Sequence, residues 1–517
     1  METKKINLTK QHKTIITIAC IVIVLLILYF TGFITRFYET YFKSDSTNIS
    51  SNTSSNSSNN INTSDNNPFP LDDNSEDGTS DSIQSNNVDY SDNLTCSTIS
   101  ITTNSSIGGS ETYTTCSISI SDCAKEYELN NSSAGIRLRG NSTMRYSKKP
   151  YRIKFDESTQ LLGLSTGPSK SWVLLAEYND YSMLRNALTY NFANRLDGLD
   201  FAPDCAFVNL YINDSYKGVY LLTEQIQVSN DRIDIDESGV DNSSITDTGY
   251  LLEMEADSQR RNEEGRQGTD WFAVTGYAGS SSSNNNFFNN FNSGHSDSYD
   301  VAFYVIKSDA KSSEQVEYIQ NYMISVYDAI YKDKNFEKID ELIDIDSAVD
   351  MYILQLLCND YDNNFSSSYV YKDAGGKLCF GPPWDFDLAY GNYNGHSSYN
   401  GETYMFHLLK ELGTYDWFME LVSNRFSELN NGSDSPIQHM LASINTYTTE
   451  LTDEFENNYS ETYSSNRSNS RGFGGFNGGG FNGGISTSYS SQSQAASALY
   501  DWLNNRINYL LEDIFML

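Results

Sequence analysis

Polar and apolar residues fall along this chain in blocks whose periods differ. Residues 14–35 (TIITIACIVIVLLILYFTGFIT) hold no charge, and at a helical rise of ~1.5 Å per residue such a run spans about 33 Å, the depth of a bilayer core. A transmembrane helix is predicted there, with 1–13 as a tail. From 36 to 93 the chain is mostly Asn, Ser, Thr and Asp and reads as a disordered stalk. Alternation begins near Thr95, where STISITT and CSISISD read as strands. In IRLRG, Ile136 and Leu138 face one way and Arg137 and Arg139 the other; PYRIKF repeats this with Tyr151, Ile153 and Phe155 against Arg152 and Lys154. AFVNLYI and YKGVYLL flank Asn213-Asp214 as an antiparallel pair.

The period then lengthens. Leu184, Leu188, Phe192 and Leu196 mark a helix over 182–196, and further helices are predicted at 313–331, 347–358 and 402–428. Residues 279–299 are a polar insertion and 461–495 a Gly/Ser-rich flexible segment. Leu499, Leu503, Ile507, Leu510 and Ile514 give 496–517 an apolar stripe that packs back on the domain. Strands first and helices later make an α+β plan of two lobes, with the domain over 94–460.

Charge narrows the partners. With 34 Lys and Arg against 68 Asp and Glu, the net charge is −34, which repels polyphosphate backbones and excludes nucleic acid. Lys4, Lys5, Lys10 and Lys13 precede the apolar run and only Arg36 and Lys43 follow closely, so the N-terminus is expected in the cytoplasm. The rest is expected outside, as a single-pass protein of the cell membrane. A cleaved signal peptide is the rival reading; bulky Tyr29, Phe30 and Phe33 at the end of the run oppose it. Of the seven cysteines, Cys96, Cys116, Cys123, Cys205, Cys358 and Cys379 follow the apolar run, and both disulfides and free buried thiols are open for them.

The candidate chemistry concentrates between Met351 and Asn392. A helix capped by Ser347 or Asp346 delivers Asp360, Asp362, Asn363 and Asn364 into a loop. Ser368–Lys372 and Lys377–Phe380 form a hairpin across Ala374-Gly375-Gly376, and Pro382-Pro383 leads into Trp384-Asp385-Phe386-Asp387. Two carboxylate clusters thus meet across one hairpin. Phosphoryl transfer on a divalent cation needs this: one carboxylate to orient a hydroxyl, and hard oxygens to hold magnesium against phosphates.

Seven segments then resemble one family: IRLRGNS (136–142), KKPYRIKF (148–155), WVLLAEYNDYSMLRN (172–186), YKGVYLLTEQI (216–226), GYLLEME (249–255), NDYDNNFSSSYVYKD (359–373) and GPPWDFDLAYGN (381–392). They are similar, in order, to the CotH kinases, spore-coat-protein-H-like proteins whose domain is similar to a protein kinase. The resemblance implies an atypical Ser/Thr kinase that uses ATP with Mg²⁺ or Mn²⁺ on surface or secreted proteins. It implies Asp362 as the catalytic-loop carboxylate, with Asp360 two residues away as a competitor, and Asp385 as a metal ligand; Asp387, alternating with Asp385 along one extended turn, is placed to reach the same ion. Ser367 stands where kinases place Asn, so Asn363 or Asn364 substitutes for it or one metal site is weakened.

For the phosphates, Lys154 on the second strand after Gly140 competes with Lys149 in KKPY, and the reading favours Lys154. Arg139, Gly140, Asn141 and Ser142 lie between those strands, and Glu224 stands where a hinge would meet adenine, with a plain surface position as its alternative. The 182–196 helix carries no glutamate to pair with the lysine, which leaves Glu177 or Glu253. Asp180, Arg185 and Asn186 match the family, with a structural role at the helix start as the alternative. A catalytically weak kinase-fold scaffold at the cell surface is the rival function.

Overall fold

The computed structural model describes residues 94–516 apart from 141–142, 165–166, 256–269, 278–300, 365, 394–396, 433 and 464–488. The expected tail, transmembrane helix and stalk, the 279–299 insertion, Asn141 and Ser142, and most of 461–495 lie outside the described residues. Among the described residues no helix is long and apolar enough to cross a membrane.

The alternating segments form the predicted strands, but they close on themselves. β1 (Ser97–Thr102), β2 (Thr114–Ser121), β3 (Leu129–Leu138), β4 (Tyr151–Thr159), β5 (Ser169–Leu175), β6 (Cys205–Ile212) and β7 (Ser215–Glu224) make a barrel in the order β1-β2-β3-β4-β5-β7-β6. Neighbours run antiparallel except at the seam, where β1 pairs with β6 in parallel, Ser97 opposite Val208. Closure removes both sheet edges, a step that pairwise reading of hairpins does not supply. The period-2 pattern decides what fills the barrel: Ile136, Ile153 and Trp172 are fully buried inside it, whereas Lys154 is exposed.

A second sheet, ordered β12-β11-β8-β10-β9, is antiparallel throughout: β8 (Tyr250–Glu255), β9 (Trp271–Thr275), β10 (Val301–Ile306), β11 (Ser366–Lys372) and β12 (Leu378–Phe380). Helices pack with it into the larger core: α1 (Arg185–Ala193), α2 (Ser313–Tyr327), α3 (Phe336–Leu342), α4 (Ile345–Cys358), α5 (His407–Leu412), α6 (Asp416–Asn430), α7 (Pro436–Glu450), α8 (Thr452–Tyr463) and α9 (Gln492–Tyr509). The chain is therefore α+β, strand-rich before helical.

Several boundaries move. α1 starts at Arg185 rather than Ser182, because Asp180 and Ser182 hold the preceding turn. The 402–428 helix is two, α5 and α6, separated where Gly413 lies against Tyr352. α8 extends through Tyr463 and α9 begins at Gln492, so 461–495 is helical at both ends. Leu499, Leu503, Ile507 and Leu510 are buried as predicted, but Ile514 is 39% exposed, because the last turn widens into a π-helix that rotates it outward. α4 is capped by Asp344, whose Oδ1 accepts from the Ser347 amide at 2.9 Å; Ser347 instead takes the Phe380 amide at 3.0 Å. The six described cysteines are free thiols, so the disulfide alternative does not hold for them.

Candidate active site

α4 is buried on every side from Ser347 to Cys358, and Ile353, Leu354 and Leu357 are fully buried, each worth roughly 1.5–3 kcal/mol of burial. So anchored, α4 ends on Asn359 in a left-handed conformation and turns the chain into Asp360 and a short 3₁₀ turn, Asp362–Asn364. Asp360 is fully buried. Its Oδ1 accepts from the Asp362 amide at 2.9 Å, while its Oδ2 has no hydrogen-bond partner. β11 and β12 follow, and the returning chain brings up Trp384–Asp387.

The two clusters meet electrostatically. Burial, then Asp387, Asp385 and Glu255, push the Asp362 carboxyl well above the carboxylate range. Asp360 is pushed up by burial and by Asp362, and Asp387 up to about 7 by burial and Asp385. Asp385 is raised by burial and held down by Arg139. Carboxyls that raise one another in this way are held close at a cost that a divalent cation removes. The donor set therefore fits such a cation: hard oxygens converge, and Asp360 Oδ2 is buried without a partner. Among the described residues no three His, Cys, Asp or Glu side chains already stand as one ligand set.

Three of the predicted site residues carry backbone strain, Glu177 at φ 49° among them. Asp385 has φ 65° and Ser367 φ 58°, in the left-handed region that side chains other than glycine's seldom enter. Ser367 sits at a bulge between Ser366 and Ser368 in the β11–β8 pairing, the irregularity that re-aims a strand residue beside a site. Asn363 is buried with its Nδ2 unpartnered, close behind Asp362.

Around the clusters the family-like residues form a frame. Asp180 accepts from the amides of Ser182 and Arg185, each at 2.9 Å, and pairs with the Arg185 guanidinium, whose Nε donates to the Ala389 carbonyl at 3.0 Å. Asn186 donates to both Glu177 oxygens, at 3.0 and 3.3 Å, while its Oδ1 accepts from the Phe386 amide at 2.7 Å. Glu177 is thereby coupled to the Asp385–Asp387 segment, and burial followed by Asp180 and Asp387 raises its carboxyl well above the usual range. Glu253 takes an ion pair from Lys307 and acts on Asp385 from the second sheet.

The predicted nucleotide residues divide. Arg139 reaches the site: its guanidinium lies 5.3 Å from the Trp384 ring centre and opposes the charge of Asp385. Lys149 donates to the Met144 carbonyl at 2.6 Å, and Lys154 points out from the barrel. Glu224 is buried at the end of β7, paired with Arg232 at 3.0 Å and accepting from the Asp204 amide at 3.0 Å, so the surface alternative for it does not hold.

Sequence reading passed over Lys148. Its Nζ is buried between the Val219 carbonyl and Asn458 Oδ1 (2.8 Å), burial lowers its pKa to about 7, and Glu177 opposes that shift. It also passed over Asn179, which donates to Asp387, Asn392, which donates to the Asn179 and Asp387 carbonyls at 2.9 and 2.7 Å, and Glu255, which faces Asp362. All four lie inside the quoted segments; the signal was present, but carboxylates were sought only at kinase offsets.

A family model described as CotH kinase protein matches residues 136–510. No curated protein matches the chain.

Proposed function

Since the chain belongs to the CotH kinase family, we propose that it is a membrane-anchored extracytoplasmic protein kinase that moves the γ-phosphate of ATP to Ser or Thr of surface or secreted proteins. The observation that carries this reading is the convergence of Asp362 with Asp385 and Asp387 from opposite ends of one hairpin. In this reading the closed seven-stranded barrel and the helical region would stand in for the two kinase lobes.

Asp385 and Asp387 would hold Mg²⁺ or Mn²⁺, with the Asp360 carboxyl behind them. When bound, the cation supplies charge neutralisation of the phosphates. With its acidic neighbours neutralised, the ionised Asp362 accepts the hydrogen bond of the acceptor hydroxyl, orients it in line with the γ-phosphate and takes its proton as the new oxygen–phosphorus bond forms and the bond from that phosphorus to the departing ADP oxygen breaks. Arg139 lies where phosphate charge needs a counter-charge in an otherwise acidic chain. Lys148 replaces Lys154 as the lysine that answers Glu177. The uncharged run 14–35 anchors the protein with its N-terminus in the cytoplasm.

One observation favours a second reading. Lys149, Lys154 and Glu224 point away from the acidic clusters or are paired elsewhere, which suits a kinase-fold module that binds nucleotide or cation without transfer. Incubation of the chain with labelled ATP, Mn²⁺ and a Ser-rich protein tests the choice: label in the protein supports the kinase, and nucleotide binding without label supports the module.

A further inference from the structure

Behind the acidic clusters lies a buried set of polar groups that the proposed chemistry does not use. Tyr390, 1% exposed and three residues after Asp387, places its hydroxyl 2.8 Å from Thr189 Oγ1 on α1. Cys358, the last residue of α4 and fully buried, donates its thiol to the same hydroxyl at 2.9 Å. Thr189 in turn donates to the Arg185 carbonyl at 2.8 Å. Each of these groups has one proton to give, so the direction is fixed: thiol to phenol, phenol to threonine, threonine to backbone. Every donor is spent and the chain of bonds has one orientation.

The three residues belong to three separate segments. Cys358 precedes Asp360 and Asp362 at the end of α4, Tyr390 follows Asp385 and Asp387, and Thr189 stands one turn beyond the Asn186 that holds the Phe386 amide. The Tyr390 amide also donates to the Cys358 carbonyl at 2.7 Å. The phenol thus stands where both carboxylate segments and α1 come together.

We propose that Tyr390 is a positioning residue, its hydroxyl setting the separation of the Asp360–Asp362 and Asp385–Asp387 segments so that the cation Asp385 and Asp387 would hold is backed by Asp360 and stands at working distance from Asp362. This rests on the phosphotransfer reading for its chemistry, but its first readout is cation binding alone. Outer partners of metal ligands typically control affinity about 10- to 100-fold.

Tyr390→Phe keeps the ring, including its edge contact with Trp502, and removes only the hydroxyl. The experiment measures Mn²⁺ binding by calorimetry, labelled phosphate transfer and thermal unfolding on the full chain. Expected is a weakening of Mn²⁺ binding of about tenfold or more with a parallel fall in transfer rate, while the unfolding midpoint moves little. Thr189→Val should reproduce part of that loss and Thr189→Ser should restore it, which also decides the matter if the phenylalanine variant fails to fold. Unchanged Mn²⁺ affinity in Tyr390→Phe, or in Thr189→Val if that is the variant that folds, overturns the proposal. If the wild type binds Mn²⁺ but transfers no phosphate, the kinase reading falls and the role of Tyr390 is still decided by the affinities. A wild type that binds no Mn²⁺ overturns both.

Discussion

Asn179 donates its side-chain amide to Oδ2 of Asp387 at 3.1 Å, joining positions 208 residues apart. The bond opposes the upward push that burial and Asp385 exert on this carboxyl. It is one contact, beside the charge of Arg185, through which the first half of the chain favours the ionised form of Asp387. Asn179→Leu should weaken Mn²⁺ binding by about tenfold, with the fold retained because Asn392 still ties the two backbones. Calorimetric titration checks this, and an unaltered affinity would count against Asp387 as a ligand.

The two acidic segments should separate binding from chemistry. Asp385→Asn removes a formal charge from the ligand set, so cation affinity and transfer fall together and raised Mn²⁺ partly restores both. Asp362→Asn should leave Mn²⁺-dependent ATP binding near wild type while transfer drops on the order of 10²-fold or more. Equal loss of ATP binding in both variants would make Asp362 a ligand instead.

Acid should stabilise the cation-free protein. Asp387 stands at about 7, and Glu177, Asp360 and Asp362 lie well above the carboxylate range. Between the unfolded carboxyl value of about 4 and these folded values, the four carboxyls bind more protons in the native state than in the unfolded one, outnumbering His407, lowered to about 4, and Lys148, lowered to about 7, which act the other way. The unfolding free energy therefore falls as pH rises through that window. In chelator, the unfolding midpoint should drop from pH 5 to pH 8, and added Mn²⁺ should recover more of it at pH 8. A midpoint that rises with pH would contradict the buried cluster.

The lysines offer a sharper contrast. Lys148→Met leaves the buried Val219 carbonyl short of a donor and should cost about 1–3 kcal/mol in urea unfolding, together with a loss of ATP affinity. Lys154→Met, at an exposed barrel position, should change stability by no more than about 0.5 kcal/mol and leave ATP binding intact. Weakened ATP binding in Lys154→Met alone would restore the lysine favoured from sequence.

Period carried much of the fold into view. Ile136, Ile153 and Phe155 announced which side of β3 and β4 faces inward, and the spacing of Leu499, Leu503 and Ile507 announced α9. Closure of the barrel was hidden, because the parallel β1–β6 seam joins strands about a hundred residues apart and no local pattern encodes it. In the site, Asp360, Asp362, Asp385 and Asp387 were legible because carboxylates cluster in sequence as well as in space. Lys148 was not: its alternation with Lys149 gives no sign of which ammonium turns inward, and the decision falls to Asn458 on α8. The burial of Glu224 was hidden for the same reason, since Arg232 is drawn beside it only by the turn that follows β7.

Arg506 on α9 is fully buried, donating from Nε to the Leu356 carbonyl of α4 at 2.8 Å, and from its other nitrogens to the Tyr399 carbonyl and Thr403 Oγ1. Leu356 and Arg506 are 150 residues apart. During synthesis, at about 5–20 residues per second, every carboxylate of the site emerges well before the arginine that braces the helix delivering them. A nascent chain thus carries both acidic segments for several seconds before the brace on α4 can form.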